Sequence, residues 1–245
     1  FNASNILLST SISLAGLSVA FPTGVGLAFV LGVFINYFST PKGDPYLLFG
    51  GVILVVIAII CNSIAARDNI SDEQRSFKRR GLILAIIAGV LMSSFYRFVA
   101  ASMDLNNFES PLSGMATPYT AFFVFSLGIF VSNFLFNTLI MKRPLVGSPV
   151  TYKSYFKGNI STHLVGVLGG VIWGIGTALS YIAAGKAGPA ISYALGQGAP
   201  MIAALWGIFI WKEFSGATKR VYLLLVSMLV LYIVGLLLIV LSGGN

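Results

Sequence analysis

The sequence predicts an all-α, polytopic membrane protein with eight visible transmembrane helices, the larger part of a ten-helix inverted-repeat (5+5) architecture. Three observations carry this. First, the 245 residues are 57% hydrophobic and only 9% charged, with a mean hydropathy of +0.91, whereas soluble domains hold about 25% charged residues. Second, the apolar residues form continuous runs long enough to cross a ~30 Å hydrocarbon core at ~1.5 Å per residue. A membrane β-barrel would show alternating segments instead. Third, the stretch 16–34 recurs 172 positions later, without a gap, as 188–206. Gly16, Gly24, Gly26 and Phe34 fall on Gly188, Gly196, Gly198 and Trp206. Duplicated sets of apolar helices build many secondary transporters, with the solute site where the copies meet.

The first expected span, 1–15, is polar for a membrane helix, with Asn5 and Ser9 on one face. The second, 18–38, holds Pro22, Thr23, Gly24 and Gly26; the third, 46–66, holds the single cysteine, Cys61. A basic loop, 67–80, leads to the fourth span, 81–102, which carries Arg97. The fifth, 118–141, places Asn133 and Asn137 on one face. A long loop, 142–160, precedes the sixth, 162–185, where Gly166, Gly170 and Gly174 have the spacing of close helix packing. Beside them Trp173, Thr177 and Tyr181 make an aromatic and polar stripe. The seventh span, 189–211, contains Gly196, Gln197, Gly198 and Pro200, and the eighth covers 220–242.

The second copy of the repeated stretch closes a set of five spans, and the first closes a set of three. Equal sets require two further helices upstream, so the chain, which opens inside an apolar run, is read as a fragment. Residues 1–66 are then the three remaining helices of the N-terminal five-helix repeat, 67–80 a cytoplasmic loop, and 81–245 the C-terminal five-helix repeat. An odd number of spans per repeat forces the copies into opposite orientations.

Charge placement supports this map. Loops 67–80, 142–160 and 212–220 fall on one side and hold 12 of the 15 basic residues. That asymmetry marks the side as cytoplasmic, in a plasma or inner membrane, with the C-terminus outside. The net charge of +8 therefore reflects topology and implies no nucleic-acid partner. One cysteine, one histidine (His163) and seven acids leave no disulfide, no metal cluster and little acid–base chemistry. The chain is expected to be no enzyme and to need no cofactor.

Candidate substrate-binding residues are Asn5, Thr23, Arg97, Trp173, Tyr181 and Gln197. Uncharged amides and hydroxyls suit a neutral polar solute, and aromatic faces suit a flat or sugar-like one. Packing between helices is the alternative for the uncharged ones. Arg97 lies about 24 Å along its helix from Gly81, so it either meets the solute near the outer mouth or reaches to headgroups or Asp104. Pro22, Gly24, Gly26, Gly196, Gly198 and Pro200 are candidate helix breaks and gating positions, since interrupted helices at matching positions point to a transporter site.

In order along the chain, Gly16-Leu17-Ser18-Val19, Asn36-Tyr37-Phe38, Tyr119-Thr120-Ala121-Phe122-Phe123, Pro144-x-x-Gly147-x-Pro149, Lys153-x-Tyr155, Gln197-x-x-Pro200, Trp206-Gly207-Ile208 and Glu213 resemble the ureide permease family. That family sits within the drug/metabolite transporter superfamily, near the rhamnose and glucose/ribose porters. The resemblance implies ten helices in two inverted repeats and uptake of a small polar solute, ureide- or nucleobase-like. It also implies coupling to H+ or Na+. Plant members carry a long hydrophilic central loop with a phosphate-loop-like stretch. Here the loop is only 67–80 and lacks it, so a sugar porter remains an alternative. A receptor or scaffold without transport is the alternative of another class. Membrane lipid and the solute are the expected partners.

Overall fold

The structure is a computed structural model that describes residues 1–68, 75–212 and 214–244. Every regular element in it is helical: α1 Asn2–Ala15, α2 Leu17–Ser39, α3 Pro45–Asp68, α4 Arg75–Ser93, α5 Phe95–Ser102, α6 Pro118–Lys142, α7 Tyr152–Phe156, α8 Ile160–Ala187, α9 Pro189–Gly196, α10 Ala199–Phe209 and α11 Lys219–Ser242. Among the described residues, six helical stretches are long and apolar enough to cross a membrane, one of them made of α4 and α5 with Ser94 between. They are Ala20–Ser39, Pro45–Ala65, Arg79–Ser102, Pro118–Lys142, Ile160–Ala187 and Lys219–Ser242.

Eight spans are expected from the sequence, and the two that differ do so for separate reasons. The first is α1, whose 14 residues give about 21 Å of helix, short of a ~30 Å core. The seventh is divided into α9 and α10, because the helix stops at Gly196 and restarts at Ala199. Of the expected basic loop, 67–80, residues 67–68 and 75–80 are helical, in α3 and α4; residues 69–74 and the motif residue Glu213 lie outside the described residues.

The helices start where short polar side chains take over their unpaired amides. Thr117 accepts from the Thr120 amide ahead of Pro118, and Asn159 accepts from the Ser161 amide. Asp44 accepts from the amides of Tyr46 and Leu47 at 2.8 and 3.0 Å. Two joints between helices are nearly identical. Gly16 separates α1 from α2 with φ 84° and ψ 158°, and Gly188 separates α8 from α9 with φ 86° and ψ 158°. Each donates its amide four residues back, to Ile12 and Ala184. Positive φ is cheap only for glycine, so one residue turns the chain between helices.

Glycines also set the helix contacts. A Cβ on Gly51 would lie 2.5 Å from the Gly235 carbonyl oxygen, and one on Gly235 would lie 2.8 Å from that of Gly51. Gly51 also meets Ile239 while Gly235 meets Val55, so α3 and α11 run antiparallel and use the same pattern of contacts on both sides. Near their ends the Asp44 amide donates to the Ser242 carbonyl at 2.8 Å. α4 packs on both α1 and α2: Gly81 lies against Leu14 and Ala15, and Gly89 faces the carbonyl of Gly24. Ser11 Oγ adds a bond to the Gly81 carbonyl at 2.8 Å. α6 and α8 lie at the edge, with most of their apolar side chains exposed. The Gly166, Gly170 and Gly174 face, expected to pack closely, is open at the first two positions and meets only Phe122 at the third.

Candidate functional site

A cavity of about 650 Å3 opens where α1, α2, α4, α5, α8 and α9 meet and extends to the first residue of α10. That volume suits a small organic solute. Its wall is mainly aromatic and aliphatic. Phe1 stacks on Trp173 with ring centroids 5.1 Å apart and planes at 22°, and Phe95 lies 4.8 Å from Phe1 on another side. Tyr193 projects from α9 onto α2, where its hydroxyl donates to the Ala28 carbonyl at 2.8 Å. No charged side chain lines the cavity among the described residues.

The polar part of the wall is small. Asn5 and Gln197 both line it, and neither side-chain amide has a hydrogen-bond partner among the described residues. Thr177 donates to the carbonyl of Trp173 in its own helix at 2.9 Å. Tyr96, on α5, donates to the Ser180 carbonyl at 2.9 Å and lies 3.0 Å from the Ser180 hydroxyl. Ser180 Oγ in turn donates to the Ser192 carbonyl at 3.0 Å, which ties α8 to α9 just beyond the Gly188 joint. Exposed Asn5 and half-buried Gln197 leave two amides free to bond, so the largely apolar cavity is suited to an uncharged solute with polar groups on part of its edge.

The interruption between α9 and α10 forms part of this wall. Pro200, at the second position of α10, has no amide to give the carbonyl of Gly196 four residues back, so one rung of the helix ladder is lost. The Gln197 carbonyl is satisfied from outside the helix, by the hydroxyl of buried Tyr232 at 2.9 Å. Gly196, Gln197 and Gly198 all face the cavity.

Of the sequence-predicted binding residues, the structure thus brings Asn5, Trp173 and Gln197 together. The other three stand elsewhere. Arg97 is exposed, because Tyr96 and Ala100 occupy the inward face of α5 and the next position turns away. Tyr181 lies one turn beyond Thr177 but is fully buried behind the wall, against Tyr96, Phe122 and Phe125. Thr23 is half-buried in α2 and does not reach the cavity.

The expected helix breaks divide the same way. Gly196, Gly198 and Pro200 mark a true interruption, whereas α2 runs unbroken through Pro22, Gly24 and Gly26. Gly24 and Gly26 are packing positions, against Leu8 and Ala85 and against Ile59 respectively. The tight seating of α4 and α3 on this segment holds the helix together where Pro22 removes a single rung.

Sequence reasoning missed Phe1, Phe95, Tyr96, Ser180, Ser192 and Tyr193, which all line the cavity. The 172-residue offset between the repeated stretches contains the signal for several. Phe1 and Trp173, Asn5 and Thr177, Leu8 and Ser180, Phe21 and Tyr193, and Val25 and Gln197 are each 172 apart, and all ten residues line the cavity.

Comparison with known proteins adds the family. A family model described as Ureide permease matches residues 78–242. The chain belongs to the ureide permease family. Ureide permease 1 of Arabidopsis thaliana is 24% identical over 294 residues, covering 98% of this chain and 75% of its own length. Ureide permease 4 of the same plant is 30% identical over 169 residues, covering 67% of this chain and 41% of its own. Transmembrane protein 144 homolog B of Dictyostelium discoideum is 26% identical over 152 residues, covering 62% and 38% respectively. No solved structure matches the chain significantly. Membership in a permease family and six long apolar helices make this ureide permease relative an integral, multi-pass membrane protein, and point to a transporter rather than an enzyme.

Proposed function

We propose that the protein carries a small, uncharged polar solute across a membrane by alternating access, with the cavity as its binding site. The observation that carries this reading is the cavity itself: aromatic walls, no lining charge among the described residues, and two unpartnered amides, Asn5 and Gln197. The names of its plant relatives, ureide permeases, favour a ureide- or nucleobase-like solute. Asn5, Trp173 and Gln197 are proposed to touch it. The interrupted helix at Gly196–Gly198 is proposed as a moving part, since a segment with a missing rung bends at low cost. Thr23, Arg97 and Tyr181 act outside direct contact, Tyr181 by backing the wall.

Several features support an inverted repeat. The two glycine joints share one backbone conformation, α3 and α11 cross antiparallel with reciprocal contacts, and five pairs of positions 172 apart line one cavity. Under this reading α1, the α9–α10 pair and the six longer stretches make eight crossings. A helix covering α8 and α10, as α4 covers α1 and α2, would belong to the full ten-helix architecture. Loops 67–80, 142–160 and 212–220 would then face the cytoplasm.

The test is flux by the full-length protein in liposomes, with labelled allantoin, uracil and glucose supplied separately, with and without an inward proton gradient. Uptake of allantoin or uracil above that of empty liposomes is expected. Replacing Gln197 or Asn5 with Ala removes one solute bond of about 1 kcal/mol, which raises the half-saturating concentration roughly fivefold. Absence of flux and counterflow for every solute would overturn the carrier reading. A response to the gradient would establish proton coupling.

A further inference from the structure

Resting on the carrier reading, we propose that the cavity has a polar pole on its α8–α9 side, made by Ser192 and Gln197, and that Ser192 is a specificity-determining residue for neutral solutes. The inference comes from how unequal the residues 172 positions apart are. Leu8, Phe21 and Val25 on the α1–α2 side have Ser180, Tyr193 and Gln197 as counterparts 172 residues on, and Ala20 has Ser192. Each of these pairs exchanges an apolar side chain for one able to form hydrogen bonds. One side therefore offers the solute little beyond apolar surface and the Asn5 amide, while the other offers hydroxyls and the Gln197 amide.

Most hydroxyls on the polar side are already engaged. Tyr193 is bonded to Ala28, Thr177 to Trp173, and Tyr96 and Ser180 to each other and to the backbone. Ser192 differs. Its residue lines the cavity, and its Oγ is buried beside Tyr96 with no hydrogen bond of ordinary geometry. Buried hydroxyls in folded proteins are nearly always bonded, so an unbonded one in a cavity wall calls for a partner. A change of its side-chain rotamer would turn it toward a solute group pressed against the wall. The unpartnered Gln197 amide supplies a donor and an acceptor on the same side. The solute class that fits presents one edge with adjacent donor and acceptor to this pole and an apolar face to Phe1 and Phe21. This orients the solute within the cavity.

The experiment measures binding to purified full-length protein, using uracil, which carries two ring N–H donors, and 1,3-dimethyluracil, which carries none. Wild type is expected to bind uracil more tightly. Ser192→Ala is expected to weaken uracil binding about tenfold, because a desolvated solute group loses its partner, and to leave dimethyluracil binding within about twofold. The unfolding midpoint without ligand should stay unchanged or rise, since the Ser192 hydroxyl gives up no hydrogen bond of ordinary geometry. Unchanged uracil affinity in Ser192→Ala would overturn the proposal, as would a lowered midpoint, which would make the residue structural. Failure of wild type to bind uracil would also overturn the polar pole, while allantoin or glucose flux would still decide the carrier reading separately.

Discussion

Gly32 gives the sharpest test of how the cavity wall is held. The Tyr193 ring lies on the backbone of α2 at this glycine. A Cβ at position 32 would meet Tyr193 Cε1 at 2.2 Å, Cζ at 2.4 Å and Oη at 2.6 Å. Ordinary carbon contacts begin near ~3.5 Å, so the ring must retreat by about 1 Å or more. Tyr193 is buried and bonded to the Ala28 carbonyl, and the open side is the cavity. Gly32→Ala therefore costs about 1–3 kcal/mol of overpacking and about 1 kcal/mol for the strained tyrosine bond. Alanine returns up to about 1 kcal/mol through helix propensity. The expected net loss is about 2 kcal/mol, with the displaced ring also lowering uracil affinity. Unfolding of the full-length protein in mixed micelles, followed by tryptophan fluorescence, reads the stability. Tyr193→Leu in the Gly32→Ala background should recover part of the loss, giving a coupling outside the ~0.5 kcal/mol of independent sites. A Gly32→Ala protein within about 0.5 kcal/mol of wild type, with no coupling to position 193, would refute the reasoning.

Two further outcomes are expected. Tyr232→Phe leaves the Gln197 carbonyl without its donor; the cost should be about 1 kcal/mol, and amide exchange at 197–201 should quicken while the rest of α11 is unaffected. In the loop after α5, the amides of Leu112, Asn106 and Asn107 donate to the Asp104 carboxylate and hold its pKa below the ordinary 3.8. A depressed carboxylate stabilises the fold above its unfolded value and loses that contribution as pH falls through the folded one. Protease resistance of the 103–117 loop should thus be constant above about pH 5 and fall in acid below 3.8, and Asp104→Ala should remove that acid step.

The long helices were legible because burial in lipid imposes length and apolarity on each segment separately. Ile160–Ala187 and Lys219–Ser242 could be placed within a few residues for that reason. The same rule misjudged 189–211, where one glutamine between two glycines and a following proline ends a helix without lowering the hydropathy of the run. In the site, Asn5, Trp173 and Gln197 were accessible to sequence reasoning, since unpaired amides and large rings are conspicuous among apolar residues. Arg97 drew attention by its charge alone, but side-chain direction on α5 is set by Tyr96 and Ala100. Gly24 looked like a break and proved to be a contact, because the helix that presses on it is α4, more than fifty positions away along the chain.

Composition and spacing alone determined that this chain is helical, embedded in lipid and built with a repeated stretch at 16–34 and 188–206. These are properties of a segment and its solvent, and they need no knowledge of neighbours. Which repeated positions face one another was decided only in three dimensions. Phe1 stacks on Trp173, Gly51 touches Gly235 and Tyr193 covers Gly32 because helices far apart in the sequence pack side by side. Contacts between residues far apart in the chain depend on how helices cross, and a hydropathy pattern carries no information about crossing.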